Sequence, residues 1–293
     1  MKITGVLALL ASAALLGQGT PESTAEAFSF DVSDIKQLDL DISYSFGRLT
    51  VKPNLQTRKI DGVFQYNPRL TRPDIDYHTL GSKGKLKIAA GSLKHENHDS
   101  GWSFNGDWKE LHNREYDNKL EVRLPKQVPL DVRMELGLGE ALLDLSNLTV
   151  SGMKLDAGFS SVTISMSTPN PVSCRKVTFE TGLGDFSATG LGNLRAKTFR
   201  LKVGLGSADV DLSGERVEDM KGEIEVGLGS LDLILPKDTN IRLSIDRSFL
   251  SSVDVDDLEH RGDEWISPRW EHERPTFELE ISVGLGSVDV QVE

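Results

Sequence analysis

The chain has 293 residues, 38% of them hydrophobic and 27% charged, which suits a soluble protein with one large core or two smaller ones. Its formal net charge of -12 excludes nucleic acid and strongly anionic membrane surfaces as partners, since both would repel it, and leaves cations and basic partners open. The one cysteine, Cys174, excludes internal disulfides and cysteine-based metal clusters and reads as a small buried thiol.

Residues 1–27 read as an export signal: Lys2 gives the positive start, Gly5 to Leu16 the apolar run, and small residues come after it. The run is too short to span a bilayer, so the mature chain is expected to be exported without a membrane-spanning segment, to the periplasm, the cell surface or the medium. Cleavage is expected after Gly19 or after Ala25-Glu26-Ala27.

From residue 28 to about 130 lies an expected N-terminal β subdomain, continuous with the solenoid beyond it. Leu38, Leu40, Ile42 and Tyr44 alternate with polar residues, pass a corner at Phe46-Gly47 and continue as Leu49 and Val51. Gly84-Lys85-Leu86-Lys87-Ile88 reads as a copy of the outgoing half, and Leu120, Val122 and Leu124 as another strand. The stretch near 91–118 breaks the pattern with His95, His98, Trp102, Trp108 and His112, and reads as a long loop.

Residues 131–293 carry a repeat. Gly-Xaa-Gly recurs as Gly137 and Gly139, Gly182 and Gly184, Gly204 and Gly206, Gly227 and Gly229, and Gly284 and Gly286, with a degenerate copy at Gly158-Phe159-Ser160. From Gly137 to Gly227 the first glycines lie 21, 24, 22 and 23 residues apart, a period that signals stacked units. Before each corner every second residue is apolar, as in Phe199, Leu201 and Val203. After it the alternation resumes with Ala208, Val210 and Leu212 inside and Asp209 and Asp211 outside. Each pair of glycines therefore marks a bend between two strands, and the residue between them (Leu138, Phe159, Leu183, Leu205, Leu228 or Leu285) is expected to point into the core. The expected fold class is all-β, a single-chain parallel β-helix with coils of about 22 residues. An irregular segment near 254–275, with Trp265 and Trp270, stretches the last interval to 57 residues, and the strand ending at Glu293 reads as an open edge.

No constellation stands out as catalytic. The glycine pairs lack the third glycine and the helix of a dinucleotide site, and no serine or cysteine sits in a nucleophile motif. Asp209 and Asp232 occupy equivalent places in successive coils, with Asp211 beside them. They read as a solvated face that guards against aggregation or as a weak calcium site. His95 and His98, three apart, with His112 beyond, read as a polar loop more readily than as a metal site. Trp102, Trp108, Trp265 and Trp270 offer either an exposed aromatic surface for a glycan or protein partner or packing that closes the ends of the stack. No cofactor is called for.

Val128-Pro129-Leu130-Asp131-Val132, Leu136-Gly137-Leu138-Gly139-Glu140-Ala141-Leu142-Leu143-Asp144-Leu145 and Gly227-Leu228-Gly229-Ser230-Leu231-Asp232-Leu233-Ile234-Leu235-Pro236-Lys237 resemble the bacterial toast-rack family. Members include the carboxy-terminal part of LiaF-type proteins of the cell-wall-active antibiotics response and related candidate adhesins. The resemblance implies a β-solenoid at the cell envelope that senses, tethers or scaffolds, with no catalytic residues to carry over. Unlike LiaF-type proteins, this chain has no multiple membrane-spanning helices. The expected function is a non-enzymatic binding, adhesive or envelope-stress module whose partner is an envelope protein or glycan. The alternative is a polysaccharide-active enzyme on the same scaffold.

Overall fold

The computed structural model describes residues 23–56, 58–68, 70–92, 118–215, 217–247 and 251–293. Where apolar and polar residues alternate in sequence, strands form: β1 (Thr24–Asp31), β2 (Gln37–Asn54), β3 (Lys59–Tyr66), β4 (Thr71–Leu80), β5 (Lys83–Ser92) and β6 (Lys119–Pro125). Next come β7 (Pro129–Asp144), β8 (Thr149–Ser165), β9 (Val177–Leu183), β10 (Phe186–Thr189), β11 (Thr198–Asp211) and β12 (Met220–Leu235). The last are β13 (Asn240–Arg247), β14 (Ser251–Val255), β15 (Glu259–Arg261), β16 (Glu264–Ile266) and β17 (Thr276–Val292). All belong to one 17-stranded sheet, and the described residues include no helix long and apolar enough to cross a membrane.

The long strands bend at the glycine pairs and lie side by side in parallel. β2 pairs with β7, β7 with β8, β8 with β9 and β10, these with β11, β11 with β12, and β12 with β17. The register places equivalent residues of each repeat over one another. Ile42, Met134, Leu155, Phe179, Leu201, Ile224 and Ile281 form one column, and all are buried. Each such side chain contributes about 1.5–3 kcal/mol of gross burial, largely offset by backbone ordering, so a tier depends on its neighbours.

At both ends spatial order departs from chain order. β5 and β6 together form one tier beyond β2, pairing with its incoming and outgoing halves. Gly84–Ile88 is therefore an incoming half, and the outgoing half is β6. Antiparallel strands close this end: β4 lies on β5, β3 on β6 and β1 on β3. At the other end β13 and β14 form the tier beyond β17, β16 lies antiparallel on β13, and β15 lies on β16. The strand ending at Glu293, expected to be an open edge, is thus threaded between β12 and the β13–β14 tier. The 57-residue interval holds that whole tier and its closing hairpin.

Candidate functional site

The corner is the most distinctive local structure. In β11 the chain reaches it with Val203 buried and leaves it with Ala208 buried, so Gly204–Ser207 travel round the outside of the bend. The angle inside is already filled by the side chains on either flank. In the full pairs the second glycine takes a positive φ, 137° at Gly139, 135° at Gly184, 141° at Gly206, 147° at Gly229 and 143° at Gly286.

The residue between the glycines therefore faces outward, contrary to the expectation that it enters the core. Phe159 is 59% exposed, Leu183 42%, Leu205 41%, Leu228 43% and Leu285 41%. Leu138 and Phe46 are half-buried. The stacking expected of them does occur, on the opposite side of the wall. Phe46, Leu138, Phe159, Leu183, Leu205, Leu228 and Leu285 are register partners in successive tiers, an apolar ridge running along the stack.

Bare backbone flanks the ridge because the tiers meet there too closely for a side chain. A Cβ on Gly206 would lie 2.0 Å from the Gly184 carbonyl oxygen, and one on Gly204 would lie 2.4 Å from that of Gly182. At the degenerate corner Ser160 stands in place of the second glycine, buried and without a positive φ.

The two banks differ in charge. On the incoming side part of the acidic charge is paired with bases: Lys202 Nζ lies 2.8 Å from Glu225 Oε2, and an Arg200 guanidinium nitrogen lies 3.0 Å from Glu225 Oε1. On the outgoing side Asp209, Asp232, Asp289 and Asp254 occupy successive tiers of one column. Among the described residues none of these four forms an ion pair with a basic side chain. Desolvation, then the charge of Asp209 and a hydrogen bond shared with it, then the charge of Asp289, hold the Asp232 carboxyl above its ordinary range. Nearer the ridge, Ser207 Oγ donates to Asp185 at 2.7 Å, and this bond together with the Ser207 N–H holds that carboxyl below the usual range.

Asp211 is not part of this column. It stacks on Ile234 and accepts backbone N–H bonds from Gly190 at 3.0 Å and Ser213 at 2.7 Å, holding the turn after β11. No three His, Cys, Asp or Glu side chains among the described residues converge as a metal ligand set would. Trp265 lies on the closing hairpin opposite Leu243, packed on the end of the core with its ring 4.5 Å from His260. Trp270, 39% exposed, has the Arg242 guanidinium 5.6 Å from its ring centroid. His95, His98, Trp102, Trp108, His112 and residues 1–22 lie outside the described residues. Cys174 is fully buried, and burial pushes its thiol up to about 11.

One set of residues escaped the sequence reading. Asn170, Asn193 and Asn240 are buried in the turns that return one tier to the next. The Asn170 amide donates to the carbonyls of Val150 at 2.7 Å and Leu194 at 3.0 Å and accepts from the Val150 N–H at 3.0 Å. Asn193 donates to Met166 at 2.9 Å and accepts from Glu215 at 2.9 Å. The separation of Asn170 and Asn193 by 23 residues, one repeat, was the available signal.

The family model described as the N-terminal domain of toast_rack, DUF2154, matches residues 18–189. Among solved structures the chain is similar to a candidate cell adhesion protein from Clostridium sporogenes ATCC 15579, at 17% identity and a TM-score of 0.47 over 93% of this chain and 100% of that one. It is also similar to a candidate adhesin from Bacteroides fragilis NCTC 9343, at 12% identity and a TM-score of 0.36 over 92% and 99% of the two chains. A candidate adhesin from Parabacteroides merdae ATCC 43184 matches at 10% identity and a TM-score of 0.25 over 93% and 98%. No curated protein matched the chain.

Proposed function

Because the chain belongs to the toast-rack family, we propose that it is a non-enzymatic exported module of the cell envelope, a single-chain parallel β-helix that works by holding an envelope protein or glycan on its surface. The observation that carries this reading is the corner ridge. Apolar side chains exposed in adjacent tiers from Phe159 to Leu285 make a continuous strip, and the largest apolar patch on a protein surface often serves an interaction. Placing them outside gives nothing to the core, which is complete without them. Export fits the apolar start of the sequence. Processing after Gly19 leaves β1 whole, whereas processing after Ala27 removes half of a strand that pairs with β3 from Thr24 onward.

The test is retention. Purified chain and an L183S/L205S/L228S variant are passed over immobilised envelope proteins and a panel of cell-wall glycans, with folding checked by circular dichroism. The expected result is capture of one class by the parent chain, capture lost in the variant, and no new reducing ends. Release of reducing ends would establish the polysaccharide-active alternative, and equal capture by a folded variant would remove the ridge from the function.

A further inference from the structure

We infer that the corner ridge is the docking surface for a basic amphipathic α-helix of an envelope protein partner, an inference that rests on the surface-binding reading and names its partner. Three features of the ridge select that occupant.

The first is its repeat. Tiers stand about 4.8 Å apart, so the exposed row from Phe159 to Leu285 is about 19 Å long. A helix laid along it presents one apolar side chain per turn of about 5.4 Å and drifts out of step by only about 2.4 Å over that length. An extended strand in the same direction presents a side chain every ~6.7 Å on one face and drifts by more than a residue.

The second feature is charge. The aspartate column at Asp209, Asp232, Asp289 and Asp254 runs parallel to the ridge, four residues beyond it in each of β11, β12 and β17. Asp209 and Asp232 are register partners in adjacent tiers, and desolvation followed by the charge of Asp209 holds the Asp232 carboxyl above its ordinary range. Lysine or arginine on the polar flank of a docked helix would relieve that repulsion. On the opposite bank bases are interleaved with the acids, as Lys202 and Arg200 are with Glu225, so the basic charges of the helix should be weighted toward the aspartate flank.

The third is area. The five exposed side chains form a row one residue wide, about 500 Å² in all if each offers on the order of 100 Å², a narrow strip in place of the broad face that buries ~800 Å² per partner in a stable dimer. A second copy would also bring its own net charge of -12, and an anionic membrane would be repelled likewise. A single helix seated on a narrow apolar strip needs neither the wider face nor the neutral surroundings.

The experiment measures binding of the full chain to a labelled synthetic 18-residue leucine–lysine peptide with one apolar helical face. Controls are a scrambled peptide of the same composition and a leucine–glutamate counterpart. The amphipathic basic peptide should bind at least tenfold more tightly than either control. L205S/L228S should weaken it about tenfold, and D209N/D232N/D289N several-fold with a flatter salt dependence. D74N/D76N, which removes two exposed charges from β4 at one end of the stack, should leave binding unchanged. Equal binding of the scrambled peptide, or no loss in the folded ridge variant, overturns the proposal. So does a ridge-dependent dimer in sedimentation or ridge-dependent binding to anionic vesicles in place of peptide binding. If the peptide fails while L183S/L205S/L228S still abolishes capture of an envelope component, the helix is wrong and the surface reading stands. If capture is unaffected as well, both fall.

Discussion

Gly206→Ala isolates the constraint that shapes the corner. The substitution asks an L-residue to hold a φ of 141° and places a Cβ 2.0 Å from the Gly184 carbonyl oxygen, which is backbone and cannot swing aside. The backbone conformation, one that is almost confined to glycine, costs roughly 1–3 kcal/mol. To clear the overlap the tiers must part locally, which weakens the neighbouring bond from the Gly184 N–H to the Leu205 carbonyl, now 2.9 Å, and one more beside it, at ~0.5–1.5 kcal/mol each. The expected loss is therefore about 2–6 kcal/mol. Gly81→Ala is the matched control: its φ is also positive, at 60°, but nothing lies within 4 Å of the added Cβ, so only the ~1 kcal/mol backbone cost remains. Urea unfolding of the two variants monitored by far-ultraviolet circular dichroism separates the contributions. If Gly206→Ala costs no more than Gly81→Ala, close stacking does not explain the glycine, and the account of the corner fails.

Leu201→Ala should lower stability by about 2–5 kcal/mol, because that side chain is fully buried, whereas Leu205→Ala, four residues later and outward, should cost under about 1 kcal/mol in the same denaturation assay. Comparable losses would put Leu205 back in the core. Asn170→Ala leaves the N–H and carbonyl of Val150 and the carbonyl of Leu194 without their partner and should cost about 2–4 kcal/mol; a neutral result would mean that water replaces the amide. For Asp232, whose pKa is raised on folding, the stability contribution is present below the ordinary value of 3.8 and lost as pH rises through the folded value. Asp232→Asn should thus raise the Tm at pH 7 and have no such effect at pH 3, and a loss at pH 7 would show that the carboxylate is serving an attraction instead.

Much of the wall was legible because its physics is local. Alternation in Phe199, Leu201 and Val203, its change of phase by Ala208, and the 21–24-residue interval between glycines specify two strands, a bend and a stack, and the parallel register of β11 on β12 comes from their identical corners. The direction of Leu205 was not legible. Alternation carried through the bend puts it inside with Val203, but the chain from Gly204 to Ser207 runs round the outside, which periodicity does not encode; Phe159 faces outward in the same way although Ser160 after it has no positive φ. A leucine between glycines looks like core in a sequence, and here it is surface. The asparagines of the return turns were missed for a related reason: their work is to satisfy backbone groups that become buried only once the tiers assemble.

The inverted order at the two ends reflects what an end must do. A terminal tier buries one face of hydrogen-bonding groups and leaves the other ready to pair with any passing strand. Here each end is finished by a tier that the chain lays down out of sequence, β5 and β6 beyond β2 and β13 and β14 beyond β17, and then by antiparallel strands laid across it. Antiparallel pairing ends the parallel repeat, since the next parallel tier has no matching register to add to. The last strand, β17, is thereby an interior strand, with β12 on one side and β13 and β14 on the other. Among the described residues antiparallel strands cover β5, β6 and β13 but not β14, and the exposed apolar ridge lies on the flank, where a partner can reach it without competing for the sheet.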